Sequence, residues 1–200
     1  MRFHFGAVPE SPDFSPDASW KPMREPRPWL IQFIALPIGI VTTAFVWILW
    51  DGFTPVRLNP FTMELVPLVA LCLGLPVVHE LIHAALHPGA GRSSRTILGV
   101  WPKCGMFYAY YDGELSRNRL VAIALMPLFV MTILPLVVSA ALGSASEWVA
   151  FVSCLNALCA SGDVLVAGMF LFQVPPNATL RNQGWKTYWR EHEELCQVPC

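Results

Sequence analysis

Residues 64–87 read ELVPLVALCLGLPVVHELIHAALH, and this stretch decides the fold. As a helix it is long and apolar enough to cross a hydrocarbon core of ~30 Å, yet near one end it carries His79-Glu80-Leu81-Ile82-His83. Two histidines four positions apart on a helix lie about 40° apart around its axis. Both imidazoles can therefore reach one metal ion, while the carboxylate between them can hold a water on it. That is the core of a zinc hydrolase. An ionisable side chain at membrane depth costs ~2.5–3.5 kcal/mol on insertion scales, so it is normally paired, metal-bound or lining water.

The rest of the chain supports a membrane setting. Of its 200 residues 54% are hydrophobic and only 14% charged, against about 25% charged in soluble domains. Four apolar segments, 28–50, 64–87, 120–143 and 148–174, are expected to span the bilayer, with a short cytosolic β-hairpin between the second and third. The predicted class is thus an all-α membrane protein of four transmembrane helices. Lys and Arg are retained on the cytosolic side of spans, and all 13 except Arg57 fall before the first span, between the second and third, or after the fourth. Both termini and the central loop are then cytosolic, in an integral protein of the cell membrane. A net charge of -1, with no basic stripe, leaves nucleic-acid binding unsupported.

Residues 1–27, rich in proline, read as an extended or loosely ordered cytosolic arm, with Trp20 and Trp29 pinning it to the interface. The first apolar run is too long for a signal-peptide core and is expected to stay as a span. The tail 175–200 is expected at the cytosolic headgroup level. Within it Cys196-Gln197-Val198-Pro199-Cys200 is a weak metal-binding pattern, and the six cysteines as a set are expected to stay reduced. In the central loop, Thr96–Trp101 and Met106–Tyr111 flank a Pro/Gly turn and predict the hairpin. It either offers an edge strand to an extended peptide or merely covers the loop at the interface.

A catalytic zinc usually has three protein ligands and leaves one position to water. Asp163 is the third candidate, because it is the only charged residue of the fourth span. At 1.5 Å per residue, His79 and His83 lie ~12 and ~6 Å inside His87, and Asp163 lies ~16 Å inside Val174, so their depths overlap within boundary error. A buried His–Asp pair without metal is the alternative. Asn156 is expected on the face of Asp163, donating to the carbonyl oxygen of a bound peptide as charge develops, or else making an ordinary interhelical hydrogen bond. Gly162 is expected to admit a facing helix and Gly74 and Pro76 to weaken the second helix, while Cys159 is either a rival ligand or, as buried thiols more often are, mere packing. His87 reads as free or proton-shuttling.

His79-Glu80-x-x-His83 in the second span, the β-rich loop, Met126-Pro127, and Asn156 followed by Ser161-Gly162-Asp163 together resemble a bacterial family of membrane zincin peptidases, formerly labelled a domain of unknown function. The resemblance covers roughly residues 60–175, plus Gly184–Trp189. More distantly the chain is similar to site-2 protease intramembrane metalloproteases. It differs from them in having no proline between Asn156 and Asp163, and Val164 after the aspartate.

The expectation is a membrane-embedded peptidase using Zn²⁺ held by His79, His83 and Asp163, with Glu80 and Asn156 as catalytic residues. Its partners would be the bilayer and membrane-associated polypeptides cleaved near the cytosolic face. A metal transporter or sensor, or a non-catalytic membrane scaffold, would need the ligands without Glu80 or neither.

Overall fold

Arg27 is extended and Pro28 begins the first helix, where the missing N–H costs nothing, so the apolar run starts as α1, Pro28–Phe53. A short connection leads to α2, Leu65–Ala85, which runs through Pro76 without a break. The computed structural model describes residues 1–191. Helix α3, Arg117–Leu128, is capped by the Ser116 side chain and continues through a π-helical turn, Phe129–Ile133, into α4, Leu134–Leu142. Pro127 lacks the N–H that would close the regular ladder at this point, and the chain accommodates it just before the π turn. Helices α5, Glu147–Cys159, and α6, Ser161–Gln173, follow.

Two parts of the expected architecture are corrected. The fourth expected span, 148–174, is not one helix: α5 and α6 meet at Ala160 with a bend of 47°. Among the described residues three helices, Pro28–Phe53, Leu65–Ala85 and Arg117–Leu142, are long and apolar enough to cross a membrane, with a fourth only if the bent pair is counted as one. The bend has a visible counterpart on α1. A Cβ on Gly39 would lie 2.8 Å from Leu158 Cδ1 and 3.1 Å from both Leu158 O and Ser161 Cβ, so only glycine lets α1 press against the joint. The close approach expected at Gly162 is made here instead; an added Cβ at Gly162 or Gly74 would meet nothing within 4 Å.

The chain is also not all-α. Its cytosolic expectation of a single hairpin is replaced by two sheets. Strand β1, Arg2–Phe5, runs parallel to β3, Thr96–Trp101, which pairs antiparallel with β4, Met106–Tyr111, in the order β1-β3-β4. The second sheet has the order β2-β7-β6-β5, from β2, Lys21–Pro22, β5, Leu115–Ser116, β6, Ala178–Gln183, and β7, Lys186–Glu191. Gly184, at φ +58°, makes the β6–β7 turn that a side chain would strain.

The N-terminal arm is therefore not loose. It contributes a strand to each sheet and is clasped at Glu25, whose carboxylate accepts from the Thr187 N–H at 2.8 Å and the Thr187 hydroxyl at 2.6 Å. Burial nevertheless raises the Glu25 carboxyl above its ordinary value, outweighing both bonds. Trp20 is buried against Phe14 and Arg190 instead of reaching the interface, whereas Trp29 is exposed. The tail likewise folds back, with Phe170, Val174 and Leu180 packed around Met23. Cys196 and Cys200 lie outside the described residues; Cys72, Cys104, Cys154 and Cys159 are free thiols.

Candidate metal centre

Asn156 is completely buried and its amide orientation is determined by its neighbours. Its Nδ2 donates to Pro127 O at 2.9 Å and to Thr132 Oγ1 at 3.0 Å, so Oδ1 must be the atom facing His79 Nδ1, 2.9 Å away. His79 Nδ1 then carries the proton, and its Nε2 presents a lone pair. The same logic holds for His83, whose Nδ1 donates to Ile123 O at 2.8 Å. Both imidazoles thus turn their Nε2 atoms inward, 3.1 Å from one another.

Asp163 meets them there. Its Oδ2 lies 2.8 Å from His79 Nε2 and its Oδ1 3.4 Å from His83 Nε2. Helix α6 begins at Ser161, so the bend at Ala160 sets Asp163 in the first turn of a new helix, and both it and Asn156 reach the His79 ring. Two nitrogen lone pairs and a carboxylate converging on one point form a donor set for a divalent metal. At Zn–N distances of about 2.0–2.1 Å, tetrahedral ligands sit roughly 3.3 Å apart, close to the Nε2 separation found here. The residues fit zinc.

Glu80 completes the group: one ligand atom each from His79, Glu80 and His83 lie within 4.8 Å of one another. Its carboxylate is approached by the main chain of Ala109 on β4, so the three-stranded sheet borders the centre. His87 is buried with its ring 5.4 Å from that of Tyr111; its Nδ1 has no hydrogen-bond partner, and it stands outside the cluster. Cys159 makes no part of the cluster either.

Sequence reading could not find Ile123 O, a main-chain atom without a residue signature, nor Thr132. Thr132 is buried at the π turn, donates to Ser153 O at 3.0 Å, and is linked through Ser153 to Trp50 Nε1, which bonds Ser153 Oγ at 2.9 Å. A polar residue beside a helical proline is the one signal that could have drawn attention to it.

No curated protein and no solved structure matches the chain, so the more distant likeness to site-2 proteases has no counterpart there. A family model described as "Putative zincin peptidase" matches residues 72–179, more than half of the 200 residues and the whole of the His79, Glu80, His83 and Asp163 cluster. The chain belongs to this zincin peptidase family.

Proposed function

We propose that the protein is a zinc-dependent peptidase embedded in the membrane, hydrolysing peptide bonds of membrane-associated polypeptides near the cytosolic face. The observation that carries this reading is the meeting of His79 Nε2, His83 Nε2 and the Asp163 carboxylate beside Glu80, on apolar helices. Zinc held by His79, His83 and Asp163 would supply an acidified water and polarise the scissile carbonyl.

The chain's own groups do the rest. Asn156 Oδ1 and Ile123 O keep the imidazole protons on Nδ1, leaving Nε2 of both histidines free to ligate. Glu80 takes a proton on its carboxylate and returns it to the leaving amine. Asn156 has both amide hydrogens engaged by Pro127 and Thr132, so it acts by orienting His79 and does not touch substrate.

Among the described residues strand β4 pairs with a strand on one side only, β3, and it borders Glu80. An extended substrate segment adds to that open edge by main-chain hydrogen bonds, which presents an unwound peptide bond to the centre. A peptide bond within an intact helix offers no such access. The basic residues flanking the apolar segments support cytosolic termini and a cytosolic central loop.

The test compares Glu80→Gln with His79→Ala in detergent-solubilised protein, measuring zinc content and cleavage of membrane-anchored substrates. Glu80→Gln should retain zinc and lose cleavage, while His79→Ala should lose both. Cleavage undiminished in Glu80→Gln would refute the peptidase.

A further inference from the structure

The three-stranded sheet has two very different faces. Register aligns Ile97 with Tyr110 and Gly99 with Tyr108, and these side chains point to one face. There Ile97, Tyr108 and Tyr110 are buried with Val8 and Trp101, and Tyr110 Oη donates to Asn182 O of β6 at 3.3 Å. The second sheet and the N-terminal arm therefore cover this side.

The other face is built from two rows. Phe3, Leu98 and Ala109 align in one, and Phe5, Val100 and Phe107 in the next. Phe3 and Phe5 are each 70% exposed and Phe107 40%. Single exposed apolar residues are ordinary, but three phenylalanines converging on one sheet face from two distant segments form a patch that water does not favour.

What lies beside this patch indicates what covers it. Strands β3 and β4 pack against α2, and the outward surface of α2 carries Val77, Val78 and Leu81, all exposed and apolar. The sheet that bears the patch thus packs on the helix whose outward surface the membrane reading assigns to lipid. Lys103, exposed in the turn between β3 and β4, provides a cation at one end of this sheet. Aromatic side chains favour the boundary between headgroups and acyl chains, and lysine favours the phosphates just outside it.

We infer that the Phe3, Phe5 and Phe107 face of the sheet is an interaction surface for lipid, seated on the inner leaflet beside α2. This rests on the membrane reading above. It gives β1 a role: paired to β3, it widens a two-stranded hairpin into a platform and adds two of its three anchoring rings. The platform holds β4 at a fixed height against Glu80, so lipid contact and the metal centre share one rigid element.

The test uses the full chain with its six native cysteines replaced by alanine, leaving His79, His83 and Asp163 untouched, reconstituted in phosphatidylcholine–phosphatidylglycerol nanodiscs. One cysteine at a time is introduced and labelled with an environment-sensitive fluorophore at Phe5, Phe107, Val77 on α2 and Lys186 on β7. Quenching by shallow doxyl lipid is compared with quenching by aqueous iodide. Labels at 5 and 107 should follow the one at 77, quenched more by lipid than by iodide, with the reverse order at 186.

Iodide quenching at 5 and 107 with lipid quenching retained at 77 would overturn the lipid face and leave the membrane reading standing. Protection of 5 and 107 from both quenchers would mean that protein covers the face, and would overturn it equally. Loss of lipid quenching at 77 would defeat the membrane reading itself.

Discussion

His79 Nδ1 and Asn156 Oδ1 lie 2.9 Å apart in a fully buried contact, and because Asn156 has its amide hydrogens committed to Pro127 and Thr132, the direction of that bond has only one solution. The pair ties the metal centre to the π turn. The missing N–H of Pro127 frees the carbonyl of Ile123, four residues back, to accept from His83, while Asn156 donates to Pro127 O and fixes the tautomer of the first histidine ligand.

Removing that contact should weaken metal binding without removing a ligand. Asn156→Ala is expected to lower zinc affinity by about 10–100-fold, the range typical of groups that orient a ligating histidine. Asn156→Asp, which keeps an acceptor for His79 Nδ1, should lose less. Competition against a chromophoric chelator at fixed pH reads both; equal affinities in wild type and Asn156→Ala would show that His79 needs no such support.

Thr132→Val removes a buried hydroxyl that accepts from Asn156 and donates to Ser153 O while conserving shape. Leaving those partners short of a bond should cost about 1–3 kcal/mol of stability. Chemical unfolding in detergent micelles measures it, and an unchanged midpoint would remove Thr132 from the network.

Gly39→Val drives a branched side chain into Leu158 and Ser161 at the α5–α6 joint. Overpacking of this kind should destabilise by about 1–3 kcal/mol. Because the joint carries Asp163 into the centre, zinc affinity should fall along with the thermal midpoint. A variant with wild-type stability would mean that α1 yields at this point, and the bend at Ala160 has another cause.

The clasp of the N-terminal arm should respond to pH. Burial raises the Glu25 carboxyl above its usual 4.5, so the folded state favours the protonated form. Its contribution is fully present below the ordinary glutamate range and declines as pH rises through the folded value. Wild type and Glu25→Gln should therefore have similar midpoints at low pH, with the wild type becoming relatively less stable as pH increases. A difference that does not vary with pH would show that Glu25 ionises as it would in water.

The core of the centre was legible because its signals are local or compositional. His79, Glu80 and His83 follow helical spacing, and Asp163 stood out as a lone charge in an apolar run; the structure brings all four together. The sheets were far less legible. Strand β1 pairs with β3 across about half of the chain and β2 with β7 across most of it, and nothing in the proline-rich arm announces partners so remote in sequence. The joint at Ala160 was hidden for a related reason. No proline marks it, and its tight contact is recorded in a glycine on α1, more than a hundred residues earlier. Asn156 was found as a polar residue in an apolar helix, but what its amide touches depends on how a different helix is broken at Pro127 and Thr132.

The most direct test of the central claim is zinc K-edge X-ray absorption on the zinc-loaded protein and on Asp163→Asn. The account predicts nitrogen and oxygen scatterers only, with two imidazoles at about 2.0–2.1 Å, and a change in the oxygen shell with loss of affinity in Asp163→Asn. A sulfur scatterer, or an identical shell in the variant, would contradict it.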